Sequence, residues 1–255
     1  MCQDLNQILE GWDYNSNEIT VRKIVGVDGK EKVQMRVALG VFQMEMTGRP
    51  DGKKPFGFES LLEYFFNRLE QHTIKYGSSE GFYLDSAMCI ELRQEALQYY
   101  YRYLSLFIIG EYEYVVRDTI RNLKLFDFIK RYARDDVDKL SLEQYRPYVI
   151  MMNSRAKAYL AMKGDDYTLA EEIIENAMSE IEEFYISAGQ PEYIQGSYEL
   201  GLLRELKREV TDTMPMNYIA KLKVELQKAV GREDFEKAAH LRDQIKKIEN
   251  HNSHQ

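Results

Sequence analysis

Cysteine, histidine, proline and tryptophan are all scarce in this chain, and each shortage closes off a class of explanation. Its two cysteines, Cys2 and Cys89, lie far apart. They offer neither a disulfide framework nor a CxxC metal site, so a reducing cytoplasm is the expected compartment. The four histidines are His72, His240, His251 and His254, none of them next to a cysteine, and the last two fall in a polar tail. No metal and no cofactor is expected on that basis. No apolar run approaches the ~18 residues of a membrane span, and the first residues lack the basic-then-apolar pattern of a secretion signal. Basic charge is short as well. A net charge of −8 and a pI near 5.2 argue against a surface that coats nucleic acid. Gly48 to Pro55 has a loop composition, but three residues separate Gly48 from Gly52, and Lys54 follows Lys53. A Walker A loop needs four residues between its glycines and Ser or Thr after the lysine, so this stretch reads as a surface turn.

Apolar content of 44% and charged content of 30% over 255 residues describe a globular protein long enough to bury a sizeable core. From Ile19 the pattern is that of strands. Val21, Ile24 and Val25 lead into Asp28-Gly29, a hairpin turn signal, and Val33 to Val41 then alternates as one half-buried strand. Such a ribbon is marginal alone and must lie on the following helices or pair with another copy. The remainder reads as helix. Leu61, Leu62, Phe65, Phe66 and Leu69 share a face, Gly77 to Gly81 interrupts, and Asp85 restarts a helix.

The middle of the chain echoes itself. The residues after Gly110 match those after Gly164 at a spacing of 54, and an aromatic-bearing helix precedes each glycine, Tyr99 to Leu104 and Arg155 to Leu160. A helix, a Gly-acidic-aromatic turn and a second helix form a tetratricopeptide-like layout with a long period. Arg117, Arg121, Lys124, Lys130, Arg131 and Arg134 make the second helix of the first repeat basic. From Gly164 to Leu203 there is no Lys or Arg, while Asp165, Asp166, Glu171, Glu172, Glu175, Glu180, Glu182 and Glu183 accumulate. The two helices are expected to relieve each other's repulsion; the sharper reading gives the acidic face a basic partner. The tyrosines from Tyr99 to Tyr103 suit core packing better than a stacking platform for bases.

After a polar linker at 211–215, two four-turn helices follow. Ile219, Leu222, Leu226 and Ala229 form one stripe, and Phe235, Ala238, Leu241, Ile245 and Ile248 another. Gly231 is read as the left-handed stop between them. The wording from Glu233 to Ala239, then Leu241 to Ile245, closely resembles the UVR motif of the excision-repair subunits UvrB and UvrC, which also occurs in some protease-associated chaperones and adaptors. The phrase from Gly48 to Gly52 after a short strand pair is similar to bacterial proteins that also end in this motif. The resemblance implies a docking hairpin whose partner-binding residues are Phe235, Glu236, Ala238, Ala239, Leu241, Arg242, Asp243 and Ile245. Its charge is nearly balanced, eight Lys or Arg against six acids, too even for phosphate contacts to dominate.

The expected fold is thus mainly α, divided as an N-terminal β-hairpin region (1–57), tetratricopeptide-like helical hairpins (58–210), a linker (211–215), the UVR two-helix hairpin (216–249) and a disordered tail (250–255). The expected function is a non-enzymatic adaptor that docks a protein partner, possible partners being another UVR-motif protein or a second copy of itself. The alternative is an accessory factor of nucleotide-excision repair that contacts UvrB- or UvrC-like proteins, or DNA through Arg117 and Arg121. In UvrB the motif accompanies helicase motifs, and this chain has none. A catalytic site between ribbon and helices would be the third class, and no catalytic constellation supports it.

Overall fold

A computed structural model describes residues 4–213 and 216–252. The chain forms two compact units, residues 1–157 and 158–255. In the first, α1 (Asn6–Leu9) precedes β1 (Val21–Val25), β2 (Glu31–Val37) and β3 (Gly40–Glu45), which pair antiparallel in that order. The expected hairpin is therefore a three-stranded sheet: the run from Val33 to Val41 is broken at Ala38-Leu39, and Val37 pairs with Gly40. One sheet face is apolar, with Val33, Met35 and Met44 buried and Phe42 against Tyr101 at 4.8 Å. The other face is polar. There Gln34 receives Arg22 Nε at 2.7 Å and donates to Gln43 Oε1 at 2.8 Å, while Arg22 stacks on Trp12 at 4.0 Å.

The helices α2 (Leu61–Tyr76), α3 (Ser86–Ile108), α4 (Tyr112–Tyr132) and α5 (Asp136–Leu140) complete this unit, with α6 (Arg146–Lys163) contributing residues to both units. Ser60 and Asp85 cap α2 and α3 by accepting from Glu63 N and Met88 N, as short polar side chains do at helix starts. The apolar stripes meet in a core that includes Leu62, Phe65, Leu92, Leu125, Phe128 and Ile129. Between α2 and α3, Leu84 tethers the end of α4: Leu84 N donates to Tyr132 O at 2.7 Å and Arg134 N to Leu84 O at 2.9 Å.

A buried polar cluster fastens the sheet to α3 and α4. The Arg102 and Asp118 side chains are both 1% exposed and form a bidentate pair at 2.7 and 2.9 Å. Arg102 Nη1 also donates to the carbonyls of Glu45 at 3.0 Å and Gly48 at 2.8 Å. Beside it, the fully buried Glu95 accepts from Leu61 N and Leu62 N at the start of α2 and pairs with Arg121. Arg49 Nε lies 3.0 Å away. Tyr99 roofs the cluster, with Arg121 at 3.9 Å and Arg102 at 4.8 Å from its ring. Arg117 bonds Asp118 and the Met46 carbonyl. Arg117 and Arg121, the residues of the DNA-contact reading, are thus engaged in internal pairs rather than presented as a phosphate-binding stripe. Tyr99 and Tyr103 are buried core aromatics.

The second unit holds α7 (Tyr167–Ser187), α8 (Tyr193–Gly196), α9 (Tyr198–Thr213), α10 (Met216–Gly231) and α11 (Phe235–Asn252). Thr211 to Thr213, read as linker, form the last turn of α9; Met214 and Pro215 lie outside the described residues, as do Cys2 and residues 253–255. Residues 250–252, read as tail, continue α11. The acidic α7 finds cations within its own unit: Lys207 of α9 lies 2.8 Å from Glu175 and 3.5 Å from Glu171. The basic α4 finds acids in the first, where Lys130 pairs with Glu143 at 2.6 Å.

One turn geometry recurs after α3, α6 and α10. Glu111 N donates to Leu106 O, Asp166 N to Ala161 O, and Asp234 N to Ala229 O, while Gly110, Asp165 and Glu233 N donate to Phe107, Met162 and Val230 O. This is the paired 6→1 and 5→2 bonding that ends a helix through a left-handed residue. That residue is Gly110 (φ 75) in the first turn but Asp165 and Glu233 (both φ 60) in the others. The echo therefore superposes Gly110 on Asp165 rather than on Gly164. Gly231, read as the left-handed stop, is the last residue of α10.

Three outcomes follow from these contacts. Arg102→Met leaves the buried Asp118 carboxylate with Arg117 alone, at 2.9 Å, so urea unfolding of the first unit should lose about 3 kcal/mol, the low end for a broken buried pair; Arg102→Lys should not restore it, since an ammonium lacks the bidentate fork. A left-handed non-glycine residue costs roughly 1–2 kcal/mol, so Glu233→Gly should slow hydrogen exchange of α10 and α11 about fivefold. Lys207 beside Glu175 holds that carboxyl below the usual glutamate range. The carboxylate titration followed by NMR should return to the ordinary range in Lys207→Met. The stability this pair contributes is complete above the ordinary carboxyl range and disappears as pH falls through the depressed value.

Candidate docking hairpin

The hairpin at the C-terminal end is built from two amphipathic helices and one capped turn. Asp234 Oδ1 accepts from Lys237 N at 3.1 Å, placing a carboxylate at the positive start of α11, where it is favoured. Leu222 and Ala229 are buried on α10, and Ala238, Leu241, Ile245 and Ile248 on α11. The last four sit at steps of three and four, a single seam. Ile245 and Ile248 are covered although a bare two-helix hairpin would leave part of its stripe open.

The hairpin also meets α7. Tyr218 of α10 packs on Tyr167 with ring centroids 5.6 Å apart, and its hydroxyl lies 3.4 Å from Thr168 Oγ1. Burial pushes the Tyr218 phenol up, the Thr168 contact opposing. Lys247 of α11 stands 3.7 Å from both Glu171 and Glu175. Tyr218 is the anchor that sequence reasoning missed. The stripe was begun at Ile219, which is half-buried; the four-residue step back from Leu222 to an aromatic was the available signal.

The eight residues named from the motif divide into two sets. Ala238, Leu241 and Ile245 are inside, where they hold the hairpin together. Phe235, Glu236, Ala239, Arg242 and Asp243 are outside. Phe235 is 69% exposed, and Val224 and Val230 of α10 are also open. Arg242 and Asp243 bond each other at 3.0 Å, each side chain 69% exposed, so both charges remain available at little cost. His240 is exposed beside Gln244 at 3.0 Å. The hairpin can therefore offer an apolar tip at Phe235 and a charged couple on α11. Among the described residues no group of three metal-ligating side chains converges, and no helix is long and apolar enough to cross a membrane.

No curated protein and no solved structure matches the chain. A family model described as the UvrB/uvrC motif matches residues 217–250, so the hairpin of α10 and α11 carries that motif.

Proposed function

We propose that the chain is a non-enzymatic interaction protein whose helical scaffold presents the UvrB/uvrC-motif hairpin to a protein partner or to a second copy of itself. The observation that carries this reading is Phe235. It is a large apolar side chain at the tip of a motif hairpin, and it is exposed although Ala238, Leu241, Ile245 and Ile248 of the same stripe on α11 are buried. Covering it yields about 1.5–3 kcal/mol. Arg242 and Asp243 beside it would set register more than affinity. A cytoplasmic setting accords with the scarcity of cysteine.

Membership of an excision-repair assembly is the second reading, and the motif alone favours it. That version runs through contacts to UvrB- or UvrC-like proteins, since Arg117 and Arg121 are held in internal pairs.

The test is affinity capture with the full chain, identifying bound proteins by mass spectrometry, for the unaltered protein, Phe235→Asp and Arg242→Glu. Both positions are exposed, so both variants should fold. Phe235→Asp should weaken its partner about 10- to 100-fold, with a smaller loss for Arg242→Glu; a UvrB- or UvrC-like partner would select the repair reading. Light scattering on the same proteins checks self-association. If each variant retains every partner and the same oligomeric state, the hairpin is not the docking surface.

A further inference from the structure

The sheet of the first unit has an edge whose hydrogen-bonding groups are free over a short and definable length. Arg36 N donates to Thr20 O, so on β2 the even-numbered residues face β1 and the odd-numbered ones face β3. Through the register Val33–Met44, Met35–Phe42 and Val37–Gly40, Gly40, Phe42 and Met44 turn their backbone groups toward β2. Val41, Gln43 and Glu45 turn theirs outward. An independent contact agrees: Glu45 N donates outward to Pro50 O at 2.9 Å. Arg102 closes the Glu45 carbonyl on the same side. Glu45 is therefore capped by the chain itself, while among the described residues Val41 and Gln43 meet no backbone partner on that side.

Beside these two residues lies a groove of about 310 Å³, lined by Val41, Phe42, Gln43 and Met44 on one side and by Pro50, Asp51, Gln98 and Tyr101 on the other. Gln98 Oε1 is buried and has no hydrogen-bond partner among the described residues. Asp51 Oδ1 accepts from Lys53 N at 3.0 Å, and its other carboxylate oxygen lies 3.4 Å from Arg49 Nη1, the Nε of that arginine lying 3.0 Å from Glu95.

We propose that this groove receives an extended segment of a partner protein as a fourth strand beside β3, pairing with the backbone of Val41 and Gln43. Alternation along a strand then dictates the chemistry of the guest. The residue between its two hydrogen-bonded positions points toward Tyr101 and Met44 and is apolar, with a donor for Gln98 favoured. A neighbouring residue beside Asp51 is basic, complementing that carboxylate and the net charge of −8. A second copy of the chain fits poorly. Two free residues beside one groove fall far short of the ~800 Å² per partner of a stable interface. The surface lies within the first unit and is independent of the motif hairpin.

A random heptapeptide library displayed on phage, selected against the full chain, tests this. Enriched peptides should combine a basic residue with an alternating apolar one and should shift the amide resonances of Val41 and Gln43. Val41→Pro removes one outward N–H without touching the β2–β3 ladder, since proline is tolerated at sheet edges. It should weaken the selected peptide about tenfold or more, the scale of one lost backbone bond, whereas Val41→Thr should not. Asp51→Asn should flatten the salt dependence, and Phe235→Asp should leave binding unchanged. Failure to enrich any peptide would overturn the proposal. So would equal binding to Val41→Pro, or concentration-dependent dimerisation that Val41→Pro abolishes.

Discussion

A guanidinium with no access to water is the constraint around which the first unit is arranged. Moving such a cation out of solvent costs several kcal/mol unless every N–H finds an acceptor and the charge a counter-ion. Asp118 supplies the counter-ion for Arg102, and the carbonyls of Glu45 and Gly48 supply the remaining acceptors. Those carbonyls belong to the end of β3 and the turn after it. Satisfying the arginine therefore fixes where the sheet ends and how the loop leaves it, and Gly48 at φ 67 allows its carbonyl to turn inward. Glu95 plays the matching part for negative charge. It sits at the start of α2, accepts two backbone N–H groups there, and draws Arg121 and Arg49 around it. The stretch from Gly48 to Gly52 is thus a clamp between sheet and helices, which is a structural reason for a phrase that only superficially looks like a phosphate loop.

The second unit is held by weaker means. Its hairpin rests on α7 through one half-capped aromatic, Tyr218, and through Lys247 at 3.7 Å from two carboxylates. Exposed ion pairs at such distances contribute about 0–1 kcal/mol. The turns after α6 and α10 each carry a left-handed acidic residue where the turn after α3 has Gly110. In both, the next residue, Asp166 or Asp234, caps the following helix. The acidic pair thus combines a conformational cost with a favourable cap, which keeps these turns well defined without making them maximally stable.

How far the sequence disclosed this varies with the range of the interaction involved. Helix periodicity from Leu61 to Leu69 and from Ala238 to Ile248 was legible because 3.6-residue spacing is written locally. So was the Asp28-Gly29 turn. The break at Ala38-Leu39 was not, since neither central residue of the turn is a glycine, asparagine or aspartate, and the pairing of Val37 with Gly40 is what reveals it. The basic stripe of α4 misled for a different reason. Arg117 and Arg121 look solvent-facing by composition, but their acceptors, Met46 O and Glu95, come from distant parts of the chain that no local pattern connects to them. At the α10–α11 hairpin, periodicity identified the seam but not which stripe residue stays open, so it could not separate Ala238, Leu241 and Ile245 inside from Phe235 outside. The turn register, one residue off at Asp165, was hidden because backbone φ is not encoded by a glycine when an acidic residue accepts the strain.

The contrast between the two units bears on how a hairpin of this kind can serve recognition. A segment locked by buried charges, as the loop at Gly48 is, has to break those pairs before it can present new surface, a loss of several kcal/mol for each pair broken. The α10–α11 hairpin faces no such barrier. Its seam of Leu222, Ala238, Leu241, Ile245 and Ile248 stays closed, while Phe235, Arg242 and Asp243 already point outward. A partner that covers Phe235 gains about 1.5–3 kcal/mol without opening that seam. The balance therefore favours docking with the hairpin intact. Its fold supplies the preorganisation that keeps the ordering cost of binding low.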